Sequence, residues 1–310
     1  ITATYPSCWE EMTDTQFYFV MKQWLALMDG KINEPEFYIM VLYHFLGIKI
    51  SPLQHAREKY LSAAKLEERY ANIWQLVETI TWLLEVQPGK NAKGIPSGEN
   101  LVMLTWNEVR NRFPEMENDY GITLAGPSDA LLDITFAEYR RAMVLCERYN
   151  RFKRTADMDR FIATLYRPVR PDFERLQKQP DFDGNRRERF NPAITEHYAG
   201  LLEQVPFWKK YAIYVWFHNC DKFLKEEELE LGGKKICFSP LFTAGKSETD
   251  DPINEESDLG LTGLLFQIGE SGLFGTVADV DRASYIDVLT ALLMWKQQAD
   301  KLKRKIHDTH

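Results

Sequence analysis

The chain lacks a long apolar run. Its longest, Tyr211 to Phe217 and Val288 to Trp295, fall well short of the ~18–20 residues a membrane-crossing helix needs. No basic start and apolar stretch opens it, so Ile1 to Tyr5 is not expected to be a secretion signal. Cysteine is scarce. Cys8, Cys146, Cys220 and Cys237 are widely spaced and none forms a C-x-x-C pair. A chain of 310 residues buries enough surface to fold without disulfide staples, so reduced, mostly buried thiols of a cytosolic protein are expected. An excess of positive charge is also missing. Lys and Arg number 38 against 46 Asp and Glu, a net charge of −8, which disfavours non-specific nucleic-acid binding. No fixed-period repeat and no alternation of strands with helices is present, so common solenoids and doubly wound α/β folds are disfavoured.

Aromatic residues are plentiful. Trp, Tyr and Phe make up 13% of the chain, enough for large cores or contact surfaces. Helix starts are well marked. Thr13-Asp-Thr-Gln16 has the form of a capping box, and Phe17, Val20, Met21, Trp24, Leu25 and Met28 follow at helical spacing. Asn33-Glu-Pro35 begins a second helix, apolar on nearly every side, that runs to Gly47. A longer helix is expected from Pro52 to about Val86. Gln87 to Asn100, rich in Pro and Gly, reads as a linker.

Beyond it, short strands are expected at Leu101–Thr105 and Ile122–Leu124, with a turn at Gly126-Pro127. Thr135-Phe-Ala-Glu138 is a second capping box, and Phe136, Tyr139, Met143, Cys146 and Tyr149 track one face after it. Thr155 is expected to cap a helix carrying Met158, Phe161, Ile162, Leu165 and Tyr166. Further helices are expected at about 193–204, 207–225, 259–271 and Ser284 to Lys305, with a short turn near 276–282. The fold class is therefore mainly α, a multi-helix, bundle-like architecture with at most a few short strands. Residues 1–90 form an N-terminal helical unit. Residues 91–310 form a larger helical domain with an irregular arm at 167–192 and an acidic loop at 226–258, with one strand at Ile236–Phe238.

Several motifs fall short of the chemistry they suggest. Ala244-Gly-Lys-Ser247 lacks the first glycine of a phosphate loop, because Pro240 stands there, and acids follow it. The glycines from Gly260 to Gly275 lack dinucleotide spacing and suit close helix packing and helix stops. His218, Cys220 and Cys237 make only half a zinc site. His44 and His218 read as core or boundary histidines with a backbone hydrogen bond. Asp181 to Asn185 has the glycine of a calcium loop out of place. No catalytic residue, metal or cofactor is expected.

The remaining feature is basic. Arg151 to Arg189 holds 11 basic and 7 acidic residues, with aromatics interleaved. Such a strip can be solvated, can anchor an acidic protein partner, or can grip single-stranded nucleic acid. The candidate partner-binding residues are Tyr166, Arg167, Arg170, Phe173, Arg186 and Arg187.

Three stretches carry a resemblance: Cys8 to Phe17, Gly126-Pro-Ser-Asp-Ala130 leading into Ile134 to Tyr139, and Leu165-Tyr-Arg-Pro168 with Arg170-Pro171. With the Gly263 to Gly275 block, they resemble uncharacterised, mostly helical proteins of bacterial phage and prophage-like regions. The resemblance implies a tail-assembly or virion role, in host cytoplasm or phage particle, and no catalytic residues. The expectation is a non-enzymatic protein–protein interaction protein that binds other subunits, with membrane and nucleic acid not expected as partners. The alternative is an intracellular enzyme or nucleic-acid-processing factor whose site is not legible in sequence.

Overall fold

The computed structural model describes residues 4–49, 61–90, 96–117, 121–180, 182, 184–242 and 260–307. Among these residues it is mainly helical, with twelve helices and seven short antiparallel strands. No described helix is long and apolar enough to cross a membrane. The chain divides into two compact units, Ile1–Glu108 and Val109–His310.

In the first unit, helix α1 (Asp14–Met28) starts where Thr13 and Gln16 cap each other, and α2 (Glu34–Phe45) starts where Asn33 and Glu36 do the same. These reciprocal bonds satisfy backbone N–H groups that have no partner inside the helix. α1 buries Phe17, Val20, Met21 and Trp24, and α2 buries Phe37, Tyr38, Val41, Leu42 and Phe45. An aromatic cluster seals the unit. Trp9 meets Trp82 edge-on at 5.6 Å, Phe17 lies 4.7 Å from Trp106, and the Trp9 indole N–H donates to Thr105 Oγ1 at 3.0 Å. Such ring pairs add about 0.5–1.5 kcal/mol each beyond the area they bury.

The long helix expected to Val86 is shorter. α3 spans Ala63–Val77, a 3₁₀ turn follows at Glu78–Leu83, and its expected start at Pro52 lies outside the described residues. The hydroxyls of Thr79 and Thr81 donate to the carbonyls of Leu76 and Glu78, side-chain bonds that compete with continued helix. The linker expected at 87–100 holds a hairpin instead, β1 (Leu84–Lys90) against β2 (Pro96–Leu104), with a register shift at Pro88 where the ring has no N–H to offer. The division expected at 90/91 falls inside this hairpin, and the compact units meet at Glu108/Val109.

The second unit is built on α4 (Phe136–Phe152), α5 (Thr155–Leu165), α8 (Phe207–Glu226) and α12 (Tyr285–His307). Thr135 and Glu138 form the second capping box. The cap of α5 is Arg154, not Thr155, which is already the first helical residue. Stacked Tyr139 and Tyr285 (3.8 Å) and edge-on Phe161 and Phe217 (5.2 Å) hold the helices together. The unit also holds a small sheet, ordered β3 (Glu115–Glu117), β4 (Thr123–Ala125) and β5 (Arg167–Pro168). Gly126 follows β4 because a Cβ there would lie 2.4 Å from the Tyr166 ring.

The arm is less irregular than expected. It contains β5 and the short helix α6 (Phe173–Leu176), and leads to α7 (Thr195–Leu201) through a 3₁₀ turn. The acidic loop opens with a hairpin, β6 (Glu228–Leu231) and β7 (Lys234–Cys237), turned by Gly232 and Gly233 at φ +57° and +75°. Glycine adopts two such angles in succession at little cost. A short helix, α9 (Ser239–Phe242), follows. Ala244 to Ser247 lies outside the described residues. Near the C-terminal end, α10 (Gly260–Ser271) stops at Gly272, and Gly269 lets it approach α11 (Val277–Arg282), since a Cβ there would meet Val277 Cγ2 at 2.7 Å.

Candidate functional site

The arm is fixed to the helices by buried charge. Glu138 sits in the first turn of α4, where its carboxylate accepts the Thr135 backbone N–H at 2.6 Å. Its other oxygen accepts from Arg167 Nη2 and lies 3.4 Å from Arg187 Nη1. Glu138, Arg167 and Arg187 are all at most 1% exposed. Arg187 also donates to the carbonyls of Leu165 (2.9 Å) and Asp133 (3.0 Å) and to Asn185 Oδ1 (3.1 Å), while its Nη2 lies 3.5 Å from the Asp133 carboxylate. Arg167 donates to the carbonyls of Glu188 (2.8 Å) and Thr164. Two guanidiniums therefore face two carboxylates, and their N–H groups find acceptors on both the arm and the helices. Burial works to raise the Glu138 carboxyl, but the charges of Arg187 and Arg167 outweigh it and hold the group below the usual carboxylate range.

Beside this buried network lies a cleft of about 940 Å³. Three elements supply its charged residues. α4 supplies Arg140 and Arg141, the arm supplies Arg170 and Arg189, and α11 supplies Asp281 and Arg282. Arg140 donates twice to Asp281 Oδ1, at 2.7 and 3.2 Å. Arg170 Nε donates to the Arg187 carbonyl at 3.1 Å. Arg282 lies 3.6 Å from Asp279 in a solvent-exposed pair, a contact of small value. Arg189 is exposed. Arg141 Nε is buried with no hydrogen-bond acceptor. Among the described residues, five guanidiniums thus line the cleft with one carboxylate, Asp281, which is already engaged by Arg140. Comparison with protein-family models, with curated proteins and with solved structures returned no match.

Of the six residues singled out from sequence, only Arg170 lines the cleft. Tyr166, Arg167 and Arg187 are buried, so no partner reaches them as the chain stands. The Tyr166 hydroxyl donates to the Phe113 carbonyl at 2.9 Å and its ring packs over Gly126. Arg186 pairs with Glu115 on β3 at 2.7 Å. Phe173 packs edge-on against Phe182 at 5.9 Å, within the arm itself. Sequence reasoning missed Arg140, Arg141, Arg189 and Arg282 as a set. The adjacent pair Arg140-Arg141, flanking the apolar face of a well-capped helix, was the available signal. Nothing in the spacing brings Arg282, 141 positions after Arg141, to the same place.

The other motifs resolve locally. Among the described residues, no group of three or more His, Cys, Asp or Glu side chains is placed to hold a metal. The four cysteines are free thiols, and burial pushes the thiols of Cys146 and Cys220 up, away from the reactive thiolate. His44 stacks on Phe19 at 4.0 Å. His218 packs edge-on against Tyr214 at 4.5 Å, and its Nε2 is buried without a hydrogen bond, so the backbone bond expected there is not made by that nitrogen.

Proposed function

We propose that this chain is a non-enzymatic interaction protein, built on a bundle-like helical frame, that takes an acidic segment of a partner subunit into the arginine cleft. The observation that carries this reading is the convergence of five arginines from three separate elements on a cleft lined, among the described residues, by one carboxylate. Like charges gathered this way repel one another, and an incoming anion relieves that repulsion. Arg also forms paired hydrogen bonds with carboxylates and is enriched among residues that dominate binding energy. The proposed setting follows from the resemblance of Cys8 to Phe17, Gly126 to Tyr139 and Leu165 to Pro171 to helical proteins of phage and prophage-like regions. It is tail assembly or a virion component, acting in host cytoplasm or in the particle.

A fluorescent peptide of mixed Asp and Glu, titrated with the full chain, tests the docking reading. The peptide is expected to bind, more weakly as salt rises. Charge reversal at Arg189→Glu with Arg282→Glu should weaken it by about tenfold or more, while the unfolding midpoint stays put. Equal affinity for the double variant contradicts the reading. So does tighter binding of a single-stranded oligonucleotide than of the peptide.

A further inference from the structure

Arg141 is the member of the cleft whose hydrogen bonding is incomplete. Arg140 is satisfied by Asp281, and Arg170 by the Arg187 carbonyl. Arg141 Nε is buried yet donates to nothing. Buried donors without acceptors are uncommon in folded proteins, and one on a charged group is costly. A ligand that places an oxygen acceptor against α4 removes that cost.

The amount of charge in the cleft narrows what such a ligand is. Among the described residues, five guanidiniums and one carboxylate line about 940 Å³, a volume typical of a small-molecule site. Carboxylates deliver one charge each, on separate side chains with their intervening backbone. A phosphate group delivers about −1.5 to −2 with three acceptor oxygens on one atom. A few phosphates therefore neutralise this cleft in far less space than a run of acidic residues. Planar guanidiniums also match phosphate oxygens in pairs. Phe190 lines the same cleft, its ring backed by the Arg167 guanidinium 5.6 Å away, and gives the ligand's uncharged portion an aromatic wall.

We propose that the cleft is a phosphate-recognition site whose ligand carries two or more phosphate groups close together, with Arg141 as its anchor. This rests on the acidic docking reading above and specifies the chemistry that docks. The phosphates have two available sources, phosphorylated side chains of the partner segment or a free, multiply phosphorylated small molecule.

Three probes on the full chain separate the outcomes: a peptide bearing two phosphoserines, the same peptide with Asp at those positions, and inorganic tripolyphosphate. The phosphopeptide or tripolyphosphate is expected to bind about tenfold or more tightly than the Asp peptide. Arg141→Lys keeps the charge but loses the Nε donor. It should weaken the phosphate probes about tenfold and leave the unfolding midpoint unchanged. Binding of tripolyphosphate without the phosphopeptide assigns a free ligand, and the converse assigns the partner segment. Either supports phosphate recognition. Equal affinity for the phosphoserine and Asp peptides overturns it while leaving acidic docking intact. Unchanged phosphate binding by Arg141→Lys also overturns it. No binding of any probe overturns both readings.

Discussion

Two groups of arginines lie side by side in the second unit and behave in opposite ways. Arg167 and Arg187 are fully enclosed, matched by Glu138 and Asp133, and bonded to backbone carbonyls on both sides. Arg140, Arg141, Arg170, Arg189 and Arg282 open onto a cleft lined, among the described residues, by one carboxylate. In the first group charge is balanced within the fold, and the product is rigidity. In the second it is only partly balanced, by Asp281 on Arg140 and the exposed Asp279 on Arg282, and the product is attraction for anions. The first group serves the second. Arg167 grips the backbone at Glu188 and Arg187 the side chain of Asn185, so the arm that carries Arg189 and Phe190 is fixed along one wall of the cleft.

The largest expected effect comes from the balanced group. Glu138→Ala leaves two buried guanidiniums without their shared carboxylate and should cost about 3–5 kcal/mol of unfolding free energy. Denaturant titration measures it. A loss below about 1 kcal/mol would place this network with ordinary surface pairs.

The same carboxylate sets an acid limit. Its pKa is lowered in the folded state, so its contribution is fully present above the unfolded carboxylate value. That contribution is lost as pH falls through the lower folded value. Wild type should therefore lose stability more steeply than Glu138→Gln as pH drops below about 4.5, and parallel acid titrations followed by circular dichroism check this.

The smallest stability effect belongs to the cleft. Asp281→Asn removes the carboxylate among its described lining and loosens a partly exposed pair with Arg140, at a cost of about 1 kcal/mol or less. Affinity for an acidic peptide should nonetheless rise several-fold, because the surplus of positive charge grows. A fall in affinity would mean that Asp281 holds Arg140 in its binding position.

Sequence patterns revealed the helical framework well because capping boxes and 3.6-residue stripes are local. Thr13, Asn33 and Thr135 each mark a helix start within a residue of where it lies. The hairpins were harder. Pro88 and Gly89 signal a break whether the chain turns or carries a bulged strand, and pairing with Leu101 and Val102 is invisible from either side alone. The candidate site was legible only as a concentration of arginine. Arg167, Arg170, Arg186, Arg187 and Arg189 look alike along the chain. What separates them is whether Glu138, Glu115, a carbonyl or open cleft lies opposite, and those partners come from 17 to 71 residues away. Burial of Arg187 also has no composition signal, because arginine is rarely enclosed unless a distant carboxylate accompanies it.

The division between the two arginine groups is tested most directly by one paired measurement, unfolding midpoint and acidic-peptide affinity on Arg187→Met and Arg189→Glu. Arg187→Met is expected to lower stability by about 3–5 kcal/mol, whereas Arg189→Glu should leave it within about 0.5 kcal/mol and sharply weaken peptide binding. A stable Arg187→Met together with an Arg189→Glu variant that still binds the peptide would contradict that division.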